Sequence, residues 1–368
     1  MLAPFKATNG VSSYHPLFGT NQKGGSIMPK ITYYVGLDIA ANDFVASIYQ
    51  APEIPVIAKE SISNNPDGYS ALISWLKEHH VGRSNSVICM EATGVYSEGI
   101  AHYLAAKDFK VSVEPPLKVK RAFDPIGHKT DPVDSRQIAE YAYRFKDELR
   151  FWQPKDEIVE KIRQLLVVRE QFTKQKVTIK NAMHAYSLHR IQVKLIKQAH
   201  NETLEQLEKQ ITRIDKELSG FMRQNPLVSQ NKDTLNSAPG IGMLLSANLI
   251  ALTNNFEQID DYKTLASYIG IVPYKHQSGS SIHKRPRIRY FGPQRTRKLL
   301  RLAAQSVATH DKGFRQYYLR KQAEGKAKAL VLNNIANKLI KVACAMIREN
   351  KNYIKEHRSI HPMYLKSA

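Results

Sequence analysis

Two runs dominated by apolar residues, Tyr33 to Ala40 and Phe44 to Tyr49, are separated by the polar break Ala41-Asn42-Asp43. β-favouring residues on both sides of a short break predict a β-hairpin, and period-2 alternation puts Asp38 near the end of its first strand. A third strand is expected near Pro55 to Ser61. The spacing then changes to steps of three and four, predicting a helix from about Asn65 to His80 with Leu72, Ile73 and Leu76 on its buried face. Ser86 to Met90 reads as a strand, Gly94 to Lys107 as a helix, Lys110 to Val113 as a short strand and Asp131 to Phe145 as a further helix. Three antiparallel strands followed by alternating helix and strand describe an α/β domain over 31–150, a mixed sheet with helices on its faces.

From Trp152 to about Asn225 the period lengthens to that of long helices. Ile158, Ile162, Leu165, Phe172, Ile179, Met183 and Tyr186 share one heptad frame, interrupted by Arg169 and Lys176 at core positions. Leu204, Leu207, Ile211, Ile214, Leu218 and Phe221 alternate steps of three and four, the spacing of a coiled-coil seam. The break is expected between His189 and His200, with Asn201 capping the second arm. Such a region over 151–230 is either two helices packed on each other or an arm that joins copies of the chain as a dimer or tetramer. Exposed bases along it, including Arg163, Arg169, Lys174, Lys176 and Lys180, are either solvated or able to follow RNA phosphates.

A mostly helical third domain is expected over 231–350. Ala238-Pro239-Gly240-Ile241-Gly242 precedes the apolar run Met243 to Leu252. Such a turn is either an ordinary connection or a helix-hairpin-helix element, in which the backbone N–H groups about Gly240 and Gly242 meet a DNA phosphate. A helix over Leu330 to Arg348 should pack through Ile335, Leu339, Val342 and Met346. The ends, 1–30 and 351–368, lack periodicity and are expected to be mobile tails, with Met28 a candidate natural start.

Composition narrows the partners. The chain has 368 residues, and 54 Lys and Arg against 33 Asp and Glu leave a net charge of +21. That excess points to a polyanion such as nucleic acid. No uninterrupted apolar run of spanning length occurs, so no membrane partner is expected. The two cysteines, Cys89 and Cys344, form neither a disulfide framework nor a zinc-ligand spacing, which fits a reducing cytoplasm. Between Lys275 and Arg301 there are nine bases and no acid: Lys275, Lys284, Arg285, Arg287, Arg289, Arg295, Arg297, Lys298 and Arg301. Such density suits a DNA backbone.

Four acids carry the candidate chemistry. An ionised Asp38 in so apolar a strand needs a partner or a cation. Glu91 ends another apolar run, and Asp131 and Asp134, three apart at a helix start, share one face. Asp131-Pro132 is also a good helix-capping pair, and the two roles are compatible. Carboxylates that converge repel one another unless divalent cations lie between them. Mg²⁺ takes oxygen ligands, and a metal pair about 3.5–4 Å apart clamps the attacking and leaving oxygens of a phosphodiester.

Gly36-Leu37-Asp38, Glu91-Ala92-Thr93-Gly94-Val95-Tyr96 and Lys129-Thr130-Asp131-Pro132-Val133-Asp134 resemble the Asp-Glu-Asp-Asp motifs of the insertion-sequence transposases guided by a bridge RNA. The segment Leu265 to Ser281 resembles the C-terminal transposase domain of the same proteins, and the likeness runs to about residue 348. It implies a RuvC-like version of the ribonuclease H fold for the first domain. It also implies Mg²⁺, with Mn²⁺ a substitute, on Asp38, Glu91, Asp131 and Asp134, and Ser278 as a nucleophile close to Ser280 and Ser281. The implied partners are the DNA of element ends and target and a noncoding bridge RNA. The chain departs from the pattern at Ser135, where alanine is expected, and at Gly292-Pro293, where Gly-Asn is usual. Three rival readings remain: a junction-cutting endonuclease that activates water on its metal, a non-catalytic RNA-binding protein, and an actin-like kinase that begins with the same Gly-Leu-Asp.

Overall fold

The computed structural model describes residues 31–50, 57–123, 131–154, 156–278, 282–288 and 292–355, with the side chains of 60, 131–133, 274–278 and 282–288 left aside. Residues 1–30, 356–368, Ser280, Ser281 and Arg289 therefore lie outside the described residues. The tail expected from 351 does not begin there, because Tyr353 packs against a buried hydrophobic core and its N–H donates to Ser237 Oγ at 2.8 Å. The chain divides into two compact units, Met1–Pro154 and Lys155–Ala368.

The first unit is built on β1 (Tyr33–Ile39), β2 (Asp43–Gln50), β3 (Ile57–Ser63), β4 (Ser86–Glu91) and β5 (Lys110–Glu114), ordered β3-β2-β1-β4-β5. The first three strands pair antiparallel, whereas β1–β4 and β4–β5 are parallel. Parallel neighbours need crossovers, and helices α1 (Pro66–Glu78) and α2 (Val95–Ala105) supply them. Asn65 caps α1 by accepting from the Gly68 N–H, and Pro66 takes the first position, where a missing N–H costs nothing. Among the described residues the third strand continues to Ser63, two residues past the expected end, and its pairing with β2 shifts register between Phe44 and Ala46.

Period 2 sorts the strand residues onto two faces. Val35, Leu37, Ile39, Ile88 and Met90 are buried with Leu72 and Leu76 of α1 and with Ile100 and Leu104 of α2. Their alternates Tyr34, Val87 and Cys89 are buried with Ile138, Ala139, Tyr141 and Ala142 of a later helix, α4 (Asp131–Arg144), which follows the short α3 (Pro116–Lys120). That helix lies close to β1 because Gly36 has no side chain. A Cβ there would stand 2.1 Å from the Ser135 carbonyl oxygen and 2.4 Å from the Ala139 nitrogen.

The second unit opens with a hairpin of two 31-residue helices, α5 (Glu157–Ser187) and α6 (Lys194–Gln224). The second helix begins seven residues before Asn201 and has Val193 at its cap. No proline or glycine interrupts Lys194 to Asn201, so nothing in the backbone prevents the earlier start. Beyond it come α7 (Pro226–Asn236), α8 (Met243–Thr253), α9 (Tyr262–Ile269), a β6 (Pro273–Ser278) and β7 (Ile282–Ile288) hairpin, α10 (Gln294–His310), α11 (Lys312–Ala323) and α12 (Lys328–Glu349). Ile335, Leu339 and Met346 of α12 are buried and Val342 packs against the same core, as its spacing predicts. Among the described residues α12 is the helix long and apolar enough to cross a membrane, and half of its apolar window is buried within this unit.

Candidate functional site

The last paired residues of β1 and β4 are Leu37 and Met90. Asp38 and Glu91 are the next residue on each, so the two acids stand at adjacent strand ends. Alternation puts both on the face covered by α4, since Gly36 and Cys89, two residues back, meet that helix. Asp134 immediately precedes Ser135, whose carbonyl approaches Gly36, and is half-buried. Asp131 is the first residue of α4, and its side chain lies outside the described residues. The topology thus brings three strand and helix ends carrying acids to one edge. No group of three or more His, Cys, Asp or Glu side chains closes into a metal cage among the described residues. The donors are all carboxylate oxygens, the set that suits Mg²⁺ or Mn²⁺.

Ser135, the departure from the expected alanine, is fully buried and lies 2.7 Å, Oγ to Oγ, from the equally buried Ser47 of β2. One hydroxyl donates to the other, so the serine at 135 has a polar partner inside the chain.

A fifth acid escaped the sequence reading. Glu114, only 5 % exposed, ends β5 directly opposite Glu91 in the parallel register. It accepts from Ser112 Oγ at 2.9 Å, Lys118 Nζ at 3.1 Å and the Tyr141 hydroxyl at 3.5 Å. Burial works to lower the Lys118 pKa, but its hydrogen bonds to Tyr141 and Glu114 and their negative charge raise it overall. Burial first, then the charges of Glu114 and Glu91, push the Cys89 thiol far up, so it is no nucleophile. The spacing Glu114 to Lys118, one helical turn, was the available signal; only strand register reveals the neighbour Glu91.

In the second unit Ser278 ends β6 and pairs with Ile282, closing the hairpin. Lys275 lies on β6 and Lys284, Arg285 and Arg287 on β7. The next bases are committed locally. Arg295 pairs with Glu170 of α5 at 3.5 Å; burial lowers its pKa, and Glu170 opposes that shift. Arg297 donates from Nε and Nη2 to the Ile269 carbonyl at 3.2 and 3.1 Å, tying α10 to the end of α9. Gly292 adopts φ +124°, and a Cβ there would meet the Tyr268 carbonyl at 2.8 Å. Pro293 caps α10, where its missing N–H leaves no helix bond unmade. Lys298 is exposed.

The Pro-Gly-Ile-Gly turn has two different glycines. Gly240, at φ +79°, packs so tightly on α10 that a Cβ would lie 2.6 Å from Val307 Cγ1. Gly242 caps α8 with open space around it. It borders a cavity of about 490 Å³ that Ser237, Tyr353 and Lys355 also line.

Along the α5–α6 hairpin, the two polar core positions are matched across it. Arg169 pairs with Asp215 through two hydrogen bonds, at 2.5 and 3.0 Å, and Lys176 with Glu208 at 2.8 Å. Seven residues forward on one helix correspond to seven back on the other, so both pairs belong to one antiparallel register. These two bases are held by acids of the facing helix, while Lys174, three-quarters exposed, is paired only loosely with Glu170 of its own helix, at 3.9 Å.

Residues 35–191 match a family model described as "Transposase", and residues 232–319 match one described as "Transposase IS116/IS110/IS902 family". The pilin gene-inverting protein of Moraxella lacunata is 29% identical over 325 residues, 88% of this chain and 98% of that protein. Its counterpart in Moraxella bovis shows the same identity over 330 residues, with the same shares. The 43.6 kDa insertion element IS110 protein of Streptomyces coelicolor is 29% identical over 140 residues, 38% of this chain and 33% of its own length.

Proposed function

We propose that this chain, which belongs to the IS116/IS110/IS902 family of transposases, cuts and rejoins the DNA of an insertion element through a transient phosphoserine link, guided by a noncoding bridge RNA. It is a DNA transposase or recombinase. The observation that carries the site is the strand register placing Asp38 and Glu91 at neighbouring ends on the face of α4, whose first turn holds Asp131 and Asp134. The order of the five strands, with the antiparallel hairpin beside parallel β4 and β5, supports a ribonuclease H-like, RuvC-like fold.

Asp38, Glu91, Asp131 and Asp134 would hold Mg²⁺, or Mn²⁺ in its place, and a dication bound there stabilises the charge that develops on the phosphate oxygens. Ser278 at the hairpin end attacks phosphorus. Its Oγ–H bond breaks, an Oγ–P bond forms, the P–O bond to the departing strand breaks, and the departing sugar oxygen takes up a proton. Because the phosphoester is kept, the reverse attack by a second sugar hydroxyl rejoins strands without ATP. The bases of the β6–β7 hairpin and Lys298 hold the DNA backbone, and target and donor are chosen by pairing with the RNA. Copies of the chain join through the α5–α6 hairpin, whose tip exposes Leu188, Ile191, Val193 and Leu195 at 76%, 73%, 52% and 70%. The reaction belongs to the prokaryotic cytoplasm and nucleoid.

The rival reading is an endonuclease in which metal-activated water attacks and the serine is idle. The test combines purified protein, its copurifying RNA, Mg²⁺ and end-labelled element-junction DNA on a denaturing protein gel, beside Ser278→Ala and Asp38→Ala. A covalent protein–DNA adduct is expected in the unaltered protein and in neither variant. Cut DNA with no adduct, persisting in Ser278→Ala, would retire the serine mechanism in favour of hydrolysis.

A further inference from the structure

The first turn of α2 leaves two adjacent apolar side chains in solvent: Val95 is 72% exposed and Tyr96 48%. The helix packs instead through Ser97, Ile100, Ala101 and Leu104, so the core has no use for the Tyr96 ring. An exposed aromatic needs no explanation by itself. Its seating supplies one.

Asn64, in the loop between β3 and α1, donates from Nδ2 to the Tyr96 carbonyl and to the Ala40 carbonyl, each at 3.0 Å. Its Oδ1 accepts from the hydroxyl of Tyr69 at 2.7 Å, a residue buried in the core. The backbone N–H of Asn64 donates to the Asn42 carbonyl at 2.8 Å. One side chain thus binds together the β1–β2 turn, its own loop and the first turn of α2. Since both carbonyls accept from a single nitrogen, they lie within twice that distance of each other. Ala40 is two residues past Asp38, and Tyr96 five past Glu91. The backbone that carries the exposed ring is therefore held beside the edge where the two acidic strands end.

From this placement we infer that Tyr96, seated by Asn64 and extended by Val95, is a base-stacking residue for the DNA strand being cut. The inference rests on the acidic edge being the cutting site. Bringing one phosphodiester to that edge draws its nucleotides away from a continuous stack, and an exposed aromatic side chain on the backbone next to the edge can receive the base so exposed. Stacking tolerates any base, since each has a π-face. This residue would therefore secure the strand without selecting its sequence. A phenol contributes this through its ring, so phenylalanine should serve as well.

The experiment uses the full chain with its copurifying RNA and junction DNA carrying a single 2-aminopurine, moved one position at a time through the junction. An Asp38→Asn background keeps the DNA uncut. One position should be quenched with Tyr96 present, several-fold brighter with Tyr96→Ala, and quenched again with Tyr96→Phe. In the Asp38 protein, Tyr96→Ala should lose about 5- to 150-fold in cutting, the equivalent of about 1–3 kcal/mol of stacking, with its melting temperature unchanged. Fluorescence profiles that coincide for Tyr96 and Tyr96→Ala at every position overturn the inference, whatever happens to cutting, and so does failure of Tyr96→Phe to restore the quench. If Asp38→Asn still cuts, the acidic-edge reading fails on its own, separately from the fluorescence result.

Discussion

The two faces of the β3-β2-β1-β4-β5 sheet are made from the same strands and do different work. Toward α1 and α2 the sheet presents the apolar layer Val35, Leu37, Ile39, Ile88 and Met90. Toward α4 the alternate positions are Gly36, Ser47, Ser112, Glu114, Asp38 and Glu91, among a thinner set of apolar residues. One face supplies the burial that holds the unit together; the other accepts polar groups and satisfies each locally. A sheet can carry carboxylates at its strand ends because its opposite face makes the core.

That contrast can be broken from either side. The largest stability loss is expected on the apolar face: Leu37→Ala, at a fully buried position, should cost about 2–5 kcal/mol in denaturant unfolding. Cutting per folded molecule should survive. On the α4 face the cost depends on whether a partner is left behind. Ser135→Ala strands the Ser47 hydroxyl and should cost about 1–3 kcal/mol, whereas the Ser47→Ala and Ser135→Ala double variant should recover most of it. A double variant no more stable than Ser135→Ala would mean that the serine pair is not the reason.

The smallest effect concerns Lys118. Its folded pKa is raised above the ordinary lysine value by Tyr141 and Glu114 against the opposing pull of burial. A raised folded pKa contributes stability that is fully present below the unfolded value, about 10.5, and is lost as pH rises through the folded one. Tyr141, raised chiefly by burial, acts in the same direction, because the unfolded phenol ionises first. Melting temperature should therefore fall on the alkaline side of about pH 10, less steeply in Lys118→Met than in the unaltered chain. Equal slopes would remove the ammonium from the account.

Much of this arrangement was legible in the residues. Strand alternation located Asp38 and the end of β4, the acids three apart marked the start of α4, and Ile335, Leu339 and Met346 identified the packing side of α12. Where reading stopped, the missing information was always a contact between distant segments. The run 275–301 looked uniformly basic, yet Arg295 is held by Glu170, more than a hundred residues earlier, and Arg297 by the Ile269 carbonyl. Arg169 and Lys176 looked like flaws in a heptad until α6 brought Asp215 and Glu208 across. Glu114 stands one residue past the short strand expected over Lys110 to Val113, and only the pairing of β4 with β5 sets it beside Glu91.

What the sequence determined alone is local: which residues form strands or helices, which side of each is apolar, and that the chain, at +21, meets a polyanion. Periodicity and composition act over a few residues or over the whole chain, so one chain suffices to read them. Only the tertiary structure decided the register that sets Asp38 beside Glu91 and Glu91 beside Glu114, and the seating of Tyr96 by Asn64. Register and close approach depend on shape. Here it is the bare Cα of Gly36, against which α4 can rest, that sets the distance between the helix and the strand carrying the first acid.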